Sequence, residues 1–108
     1  MTLLDFIDYL TQPHKLKDFY HTQGLNDEIE TLTIYLVDSL SIESAVKVLA
    51  IEETGGRSRL QHAGVDYVSL LGVDEAIELL TTDLSLQGKK VTHLDRANRL
   101  VEYAIYDA

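Results

Sequence analysis

Apolar residues recur every three to four positions through most of the chain, the spacing of a single buried helical stripe. Leu3, Leu4, Phe6, Ile7 and Leu10 open the pattern, and Thr2 is placed to cap the helix they predict. Pro13 ends that helix or starts the next, because it lacks a ladder donor and pushes Gln12 toward extended geometry. A short helix over 14–20 buries Leu16, Phe19 and Tyr20, and Gly24 stops it. Asn26 is placed to cap a third helix carrying Ile29, Leu32, Ile34, Leu36, Val37 and Leu40. The β-branched content of 31–37 also suits a strand. Ser41 restarts a helix through Ile42, Ala45, Val46, Leu49 and Ala50, running to Gly55-Gly56.

Residues 57–72 fit two templates. Leu60, Ala63, Val65, Val68, Leu70 and Leu71 permit a helix, with Gly64 costing it up to about 1 kcal/mol. A hairpin turning at Gly55-Gly56 is the rival. Beyond Gly72, Asp74 caps a helix through Ala76, Ile77, Leu79, Leu80 and Leu84 that stops near Gly88. Thr92 and Asp95 resemble a capping box ahead of a last helix bearing Leu94, Ala97, Leu100, Val101, Ala104 and Ile105. One proline, short links and no repeat predict a single helical domain over 1–108. The expected fold class is all-α, a compact irregular bundle of five to seven helices. The alternative is α+β with a hairpin near 46–62.

Composition narrows the classes. The chain has 108 residues, 45% of them hydrophobic, enough for a core. It has no cysteine, so disulfides, thiolate metal sites and a cysteine nucleophile are excluded. The first residues form no basic n-region, and no apolar run approaches the roughly 18 residues of a membrane span. The expected compartment is the cytoplasm, with no membrane partner.

Charge says more. Seven acidic side chains lie between Leu25 and Gly56 against one basic residue, Lys47, a balance of −6 within a total of −9. A chain this acidic lacks the lysines and arginines that phosphate contacts require, which argues against direct nucleic-acid binding. It suits a basic protein partner.

Catalytic patterns are weak. His14, Asp18 and His21 share one helical face at i, i+4 and i+7, a ligand set known for zinc or iron. A solvated face opposite Leu16, Phe19 and Tyr20 is the favoured explanation, because three ligands on so short a segment need a supporting second shell, and no metal or other cofactor is expected. Glu52 and Glu53 are adjacent and point apart on a helix, so they make a poor acid/base pair. Glu75 and Glu78 share a face in the first turn of a helix, where the dipole favours them. The nucleophile-elbow pattern is absent, and Gly55-Gly56-Arg57-Ser58 lacks phosphate-loop spacing. Arg57 and Arg59 beside it are a minimal anion-binding pair. Among six tyrosines, Tyr35 stands inside the acidic stretch and is the candidate interface anchor.

Small size, acidity, absence of cysteine and lack of a catalytic motif together resemble bacterial toxin-immunity proteins of the colicin or contact-dependent-inhibition type. The resemblance rests on composition over the whole chain and implies an inhibitor of a basic, nuclease-type toxin. A second, local resemblance covers about 40 residues: Glu52-Glu53-Thr54, Arg59-Leu60, Leu70-Leu71-Gly72 and the run from Asp74 to Leu80 are similar in rhythm to helices of a ferritin-like family. That likeness implies a helical metal protein, but the family's Glu-x-x-His motif is missing.

The expectation is therefore a binding protein, not an enzyme, that occludes the active or substrate-binding surface of a basic partner. Its contact residues are expected to be Asp27, Glu30, Tyr35, Asp38, Glu52, Glu53, Asp74, Glu75 and Glu78. The alternatives are a non-catalytic regulatory or accessory helical domain, with a homodimer as one form of it, and a degenerate ferritin-like metal-binding protein.

Overall fold

The structure is a computed structural model that describes residues 1–26, 31–88 and 90–106. Its elements run α1 (Leu3–Leu10), α2 (Pro13–Gln23), β1 (Leu32–Val37), β2 (Val46–Ala50), α3 (Ile51–Thr54), β3 (Arg59–His62), β4 (Val65–Gly72), α4 (Val73–Thr82), a 3-10 turn (Leu84–Leu86) and α5 (His93–Tyr106). The fold is α+β. The all-α expectation is wrong because 32–50 and 59–72 form two antiparallel hairpins instead of helices. The likeness to ferritin-like helices fails with it, since the stretch from Glu52 to Leu80 spans one helical turn, two strands and one helix.

The two hairpins join through β1 and β4, giving an antiparallel sheet of order β2-β1-β4-β3. The register pairs Leu32 with Ala50, Ile34 with Val48 and Leu36 with Val46, so these side chains share one face. Thr33, Tyr35, Lys47 and Leu49 take the other face. A shift in the β1–β4 register at Ile34/Tyr35 leaves Leu70 unpaired between Leu71 and Ser69, and both leucines are buried.

The helices α1, α4 and α5 cover the first face. Phe6 and Ile7 of α1, Ala76 and Leu80 of α4, and Ala97 and Leu100 of α5 pack with Ile34, Leu36 and Val48 in one apolar core. α2 adds Leu16 and Tyr20 to this core and docks on α1 through Phe19, whose ring meets that of Phe6 edge-on at 5.3 Å and that of Tyr9 at 5.7 Å.

Local chemistry sets the boundaries. Thr2 and Asp5 form a reciprocal capping box at α1, and Thr92 and Asp95 exchange the same two bonds, at 2.9 and 3.2 Å, ahead of α5. Asp74 is not the cap of α4: Gly72 takes that place and Asp74 lies inside the first turn. The predicted hairpin turn at Gly55-Gly56 is also displaced. Gly55, with φ 64°, ends α3, and the β3–β4 reversal falls at Ala63-Gly64. Both residues of that turn have positive φ, 53° and 78°, the requirement of a tight two-residue hairpin.

Two measurements test these assignments. Alanine is strained at the Ala63 backbone angle, whereas asparagine tolerates it. Ala63→Asn is expected to raise stability by about 0.5–1 kcal/mol in urea unfolding; a loss would contradict the turn assignment. Asp83 supplies a pH signature. Hydrogen bonds from the Ser85 hydroxyl and the Arg99 guanidinium, then from the Ser85 amide, hold its carboxyl down from the ordinary 3.8 to about 2. A depressed carboxylate stabilises the fold above its unfolded value, and that stability is lost as pH falls toward the folded value. The thermal midpoint is expected to drop between about pH 4 and pH 2, and the drop to be shallower in Asp83→Asn. Identical slopes in the two proteins would remove Asp83 from the account.

Candidate functional site

Strand order creates the site. The consecutive strands β2 and β3 lie at opposite edges of the sheet, so residues 51–58 must cross it. With α1, α4 and α5 on one face, the crossing runs over the other. It leaves the end of β2 with the Ile51 amide donating to the Thr31 carbonyl at 2.9 Å. It is then held over the sheet at two points. The Tyr35 hydroxyl donates to the Arg57 carbonyl at 2.5 Å, and the Ser69 amide donates to the Ser58 carbonyl at 2.8 Å. Tyr35 is 1% exposed beneath this strap. It is a buried support for the crossing, not the surface anchor its place in the sequence suggests.

Beside the strap the open face forms a cleft of about 640 Å³. Leu49 of β2 and Leu60 of β3 give it apolar walls, with the Tyr67 ring between them on β4. Its charged and imidazole side chains are Lys47, Arg57, Glu53 and His62, with Thr54 and Gln61 as further polar lining. Among the described residues, none of those first four side chains forms an ion pair or a side-chain hydrogen bond. The cleft thus sets two full positive charges against one negative in a chain whose balance is −9.

The acidic residues are distributed differently. Asp27 and Glu30 lie outside the described residues. Asp38 is no helix-face residue; it follows β1 with φ 67°, exposed, its amide donating to the Asp66 carbonyl at 2.9 Å. Glu52 and Glu53 lie at the other end of β2, which its five residues separate from Asp38 by roughly 17 Å at a strand rise of ~3.4 Å. The linear acidic stretch is therefore split between two ends of the sheet.

The fold also makes a grouping that the sequence does not suggest. Leu32 pairs with Ala50 and Thr33 with Gly72, so β2 and β4 end on either side of the start of β1. Glu52 and Glu53, just past β2, then share one end of the sheet with Asp74 and Glu75, just past β4. All four are exposed, and none forms an ion pair among the described residues. Glu78 stands one turn further along α4, beside Tyr103 in a shallow hollow of about 250 Å³.

His14, Asp18 and His21 are exposed on α2, and among the described residues no group of three or more His, Asp or Glu is placed to hold a metal ion. No helix among the described residues is long and apolar enough to cross a membrane. Of the cleft, Arg57 had a reading in the sequence as an anion-binding residue and Glu53 as a contact for a basic partner. The available signal for the rest was Leu49, an apolar residue at a strand position whose neighbour on the same face is Lys47. Comparison with known proteins gives no match to the chain, whether by family model, curated sequence or solved structure.

The strap can be tested through its hydroxyl. Tyr35→Phe keeps the ring and removes the bond to Arg57, so stability is expected to fall by about 1 kcal/mol. Amide exchange measured by NMR is expected to accelerate over 51–58 while the amides of α5 keep their protection relative to global unfolding. Unchanged exchange in the strap would show that this bond does not hold it.

Proposed function

We propose that the protein is a non-catalytic inhibitor that binds a basic protein, in the manner of immunity proteins that neutralise nuclease-type toxins. The observation that carries this reading is the convergence of Glu52, Glu53, Asp74 and Glu75 at one end of the sheet from two separate segments. Carboxylates in this arrangement present acceptors to lysine and arginine side chains much as the phosphates of a nucleic acid do. A nuclease surface is basic because it binds phosphates, so the same charges that hold substrate would hold the inhibitor.

Electrostatics gives the reading its physical form. Exposed, unpaired carboxylates steer a cationic partner and raise its association rate, with a strong salt dependence. Glu78 on α4 and Asp38 at the far end of the sheet are outer contributors. Occlusion of the partner's substrate groove requires only that this end seat against it. The reading places the protein in the cytoplasm, where it would meet an incoming toxin domain.

The test uses the full chain and a charge-neutral variant, Glu52→Gln/Glu53→Gln/Asp74→Asn/Glu75→Gln. A basic protein recovered from cells on the immobilised chain is purified, and its association rate and enzymatic activity are measured at about 0.05 M and about 0.5 M salt. The expected result is inhibition by the native chain and an association rate at least about tenfold lower for the variant at low salt. The native chain is expected to lose most of its rate advantage at high salt. Recovery only of an acidic partner or of the chain itself, or equal rates for variant and native chains, would overturn the reading. Circular dichroism of the variant confirms that its fold is kept.

A further inference from the structure

The cleft over the open sheet face has the features of a small-ligand site that the inhibitor reading does not use. Its volume of about 640 Å³ falls within the roughly 300–1,000 Å³ typical of small-molecule pockets. Leu49, Leu60 and the Tyr67 ring give it apolar and aromatic contact, and polar side chains make up the rest of its lining. Among these, Lys47, Arg57, His62, Gln61 and the Tyr67 hydroxyl offer donors, and Glu53 offers only acceptors.

The chain offers twice as many acidic as basic side chains, 18 against 9. Among the described residues two basic side chains take part in ion pairs, Arg99 with Asp83 at 2.7 Å and Lys15 with Asp8, and Lys47 and Arg57 are among those that do not. Glu53 lines the same space as Lys47 and Arg57 without pairing to either. The cations are left available for an anion from outside. They stand on separate elements, β2 for Lys47 and the strap for Arg57, with the His62 imidazole on β3 beside them, and the strap is tied to Tyr35 below it.

The geometry points to a phosphomonoester carried on a planar ring, a mononucleotide in chemical class, as the occupant of this cleft. A guanidinium and an ammonium together suit a dianionic phosphate, with Arg57 able to present two parallel N–H donors. The Tyr67 ring and the Leu49 and Leu60 side chains offer apolar contact to a ring face. Glu53 accepts a hydrogen bond from a sugar hydroxyl or an exocyclic amine, and it disfavours a ligand that is anionic throughout.

Adenosine 5′-monophosphate, uridine 5′-monophosphate, adenosine and inorganic phosphate are titrated separately into the isotope-labelled full chain, and amide shifts are followed by NMR. At least one of the two nucleotides is expected to bind saturably, with shifts confined to 46–50, 53–62 and 65–69. Adenosine and phosphate alone are expected to bind at least about tenfold more weakly, each lacking one half of the contact. Arg57→Gln and Lys47→Gln change exposed side chains, so the fold is expected to persist, and each is expected to weaken nucleotide binding by about tenfold. The proposal is overturned if neither nucleotide gives saturable shifts in the cleft. It is also overturned if inorganic phosphate binds as well as the nucleotides, which would make this an adventitious anion contact. Binding that both variants leave unchanged would overturn it too.

Discussion

The crossing of residues 51–58 over the open face of the sheet is the constraint on which the rest of the surface depends. It follows from strand order. Two hairpins joined through their inner strands place β2 and β3 at opposite edges, and the chain must travel between them. The helix layer already fills one face with a closed apolar core, so the connection takes the other. A segment this short needs fixed points, and it has them at the Thr31, Arg57 and Ser58 carbonyls. Buried beneath it, Tyr35 is satisfied through its hydroxyl, which removes the cost of placing that group out of water.

From that crossing both candidate surfaces arise. It carries Glu52 and Glu53 to the end of the sheet where β4 turns into α4. It also walls a cleft on a face that would otherwise be a flat, wet sheet surface. The two edge strands remain open to pairing with other chains, and their composition opposes it. β3 is four residues long and carries exposed Arg59, and β2 is five residues long and carries exposed Lys47. Short, charged edges of this kind resist strand addition. Lys47 therefore has two physical roles, guarding an edge and supplying a cation to the cleft.

The helices were legible because their boundary chemistry is local. Thr2 with Asp5, Pro13, Gly24, and Thr92 with Asp95 all act within a few residues of sequence, and the apolar periods of α1 and α5 are clean. The strands were legible only as the rival to a helical reading, and the cause is specific. In β2, Val46, Val48 and Ala50 face the helices, so Lys47 and Leu49 should read as polar. Lys47 does; Leu49 does not, because it lines the cleft. Its apolar character turned an alternating pattern into one that also fits helical spacing with Ile42 and Ala45. Tyr35 did the same to β1, where the strap buries both faces of the strand, and the Leu70-Leu71 irregularity did so in β4. The residues that build the site are thus the ones that hid the sheet. Grouping of the acidic residues was illegible for another reason: it depends on strand register, which no local pattern encodes.

One residue belongs to both surfaces. Glu53 stands in the acidic group at the sheet end and also lines the cleft. A bound anion in the cleft lies close to that carboxylate, and like charges a few ångströms apart near a protein surface interact at the level of about 1–4 kcal/mol. A cationic partner seated on the sheet end would offset Glu53 and so relieve the anion of that repulsion. The coupling is reciprocal, because a ligand whose affinity rises when the partner binds must raise the partner's affinity by the same factor. An anion that places its own donor group against Glu53 would weaken the coupling by answering the charge locally. The short helix between β2 and the strap is therefore the element through which two binding events on this chain would sense each other, and electrostatics alone fixes the sign as positive.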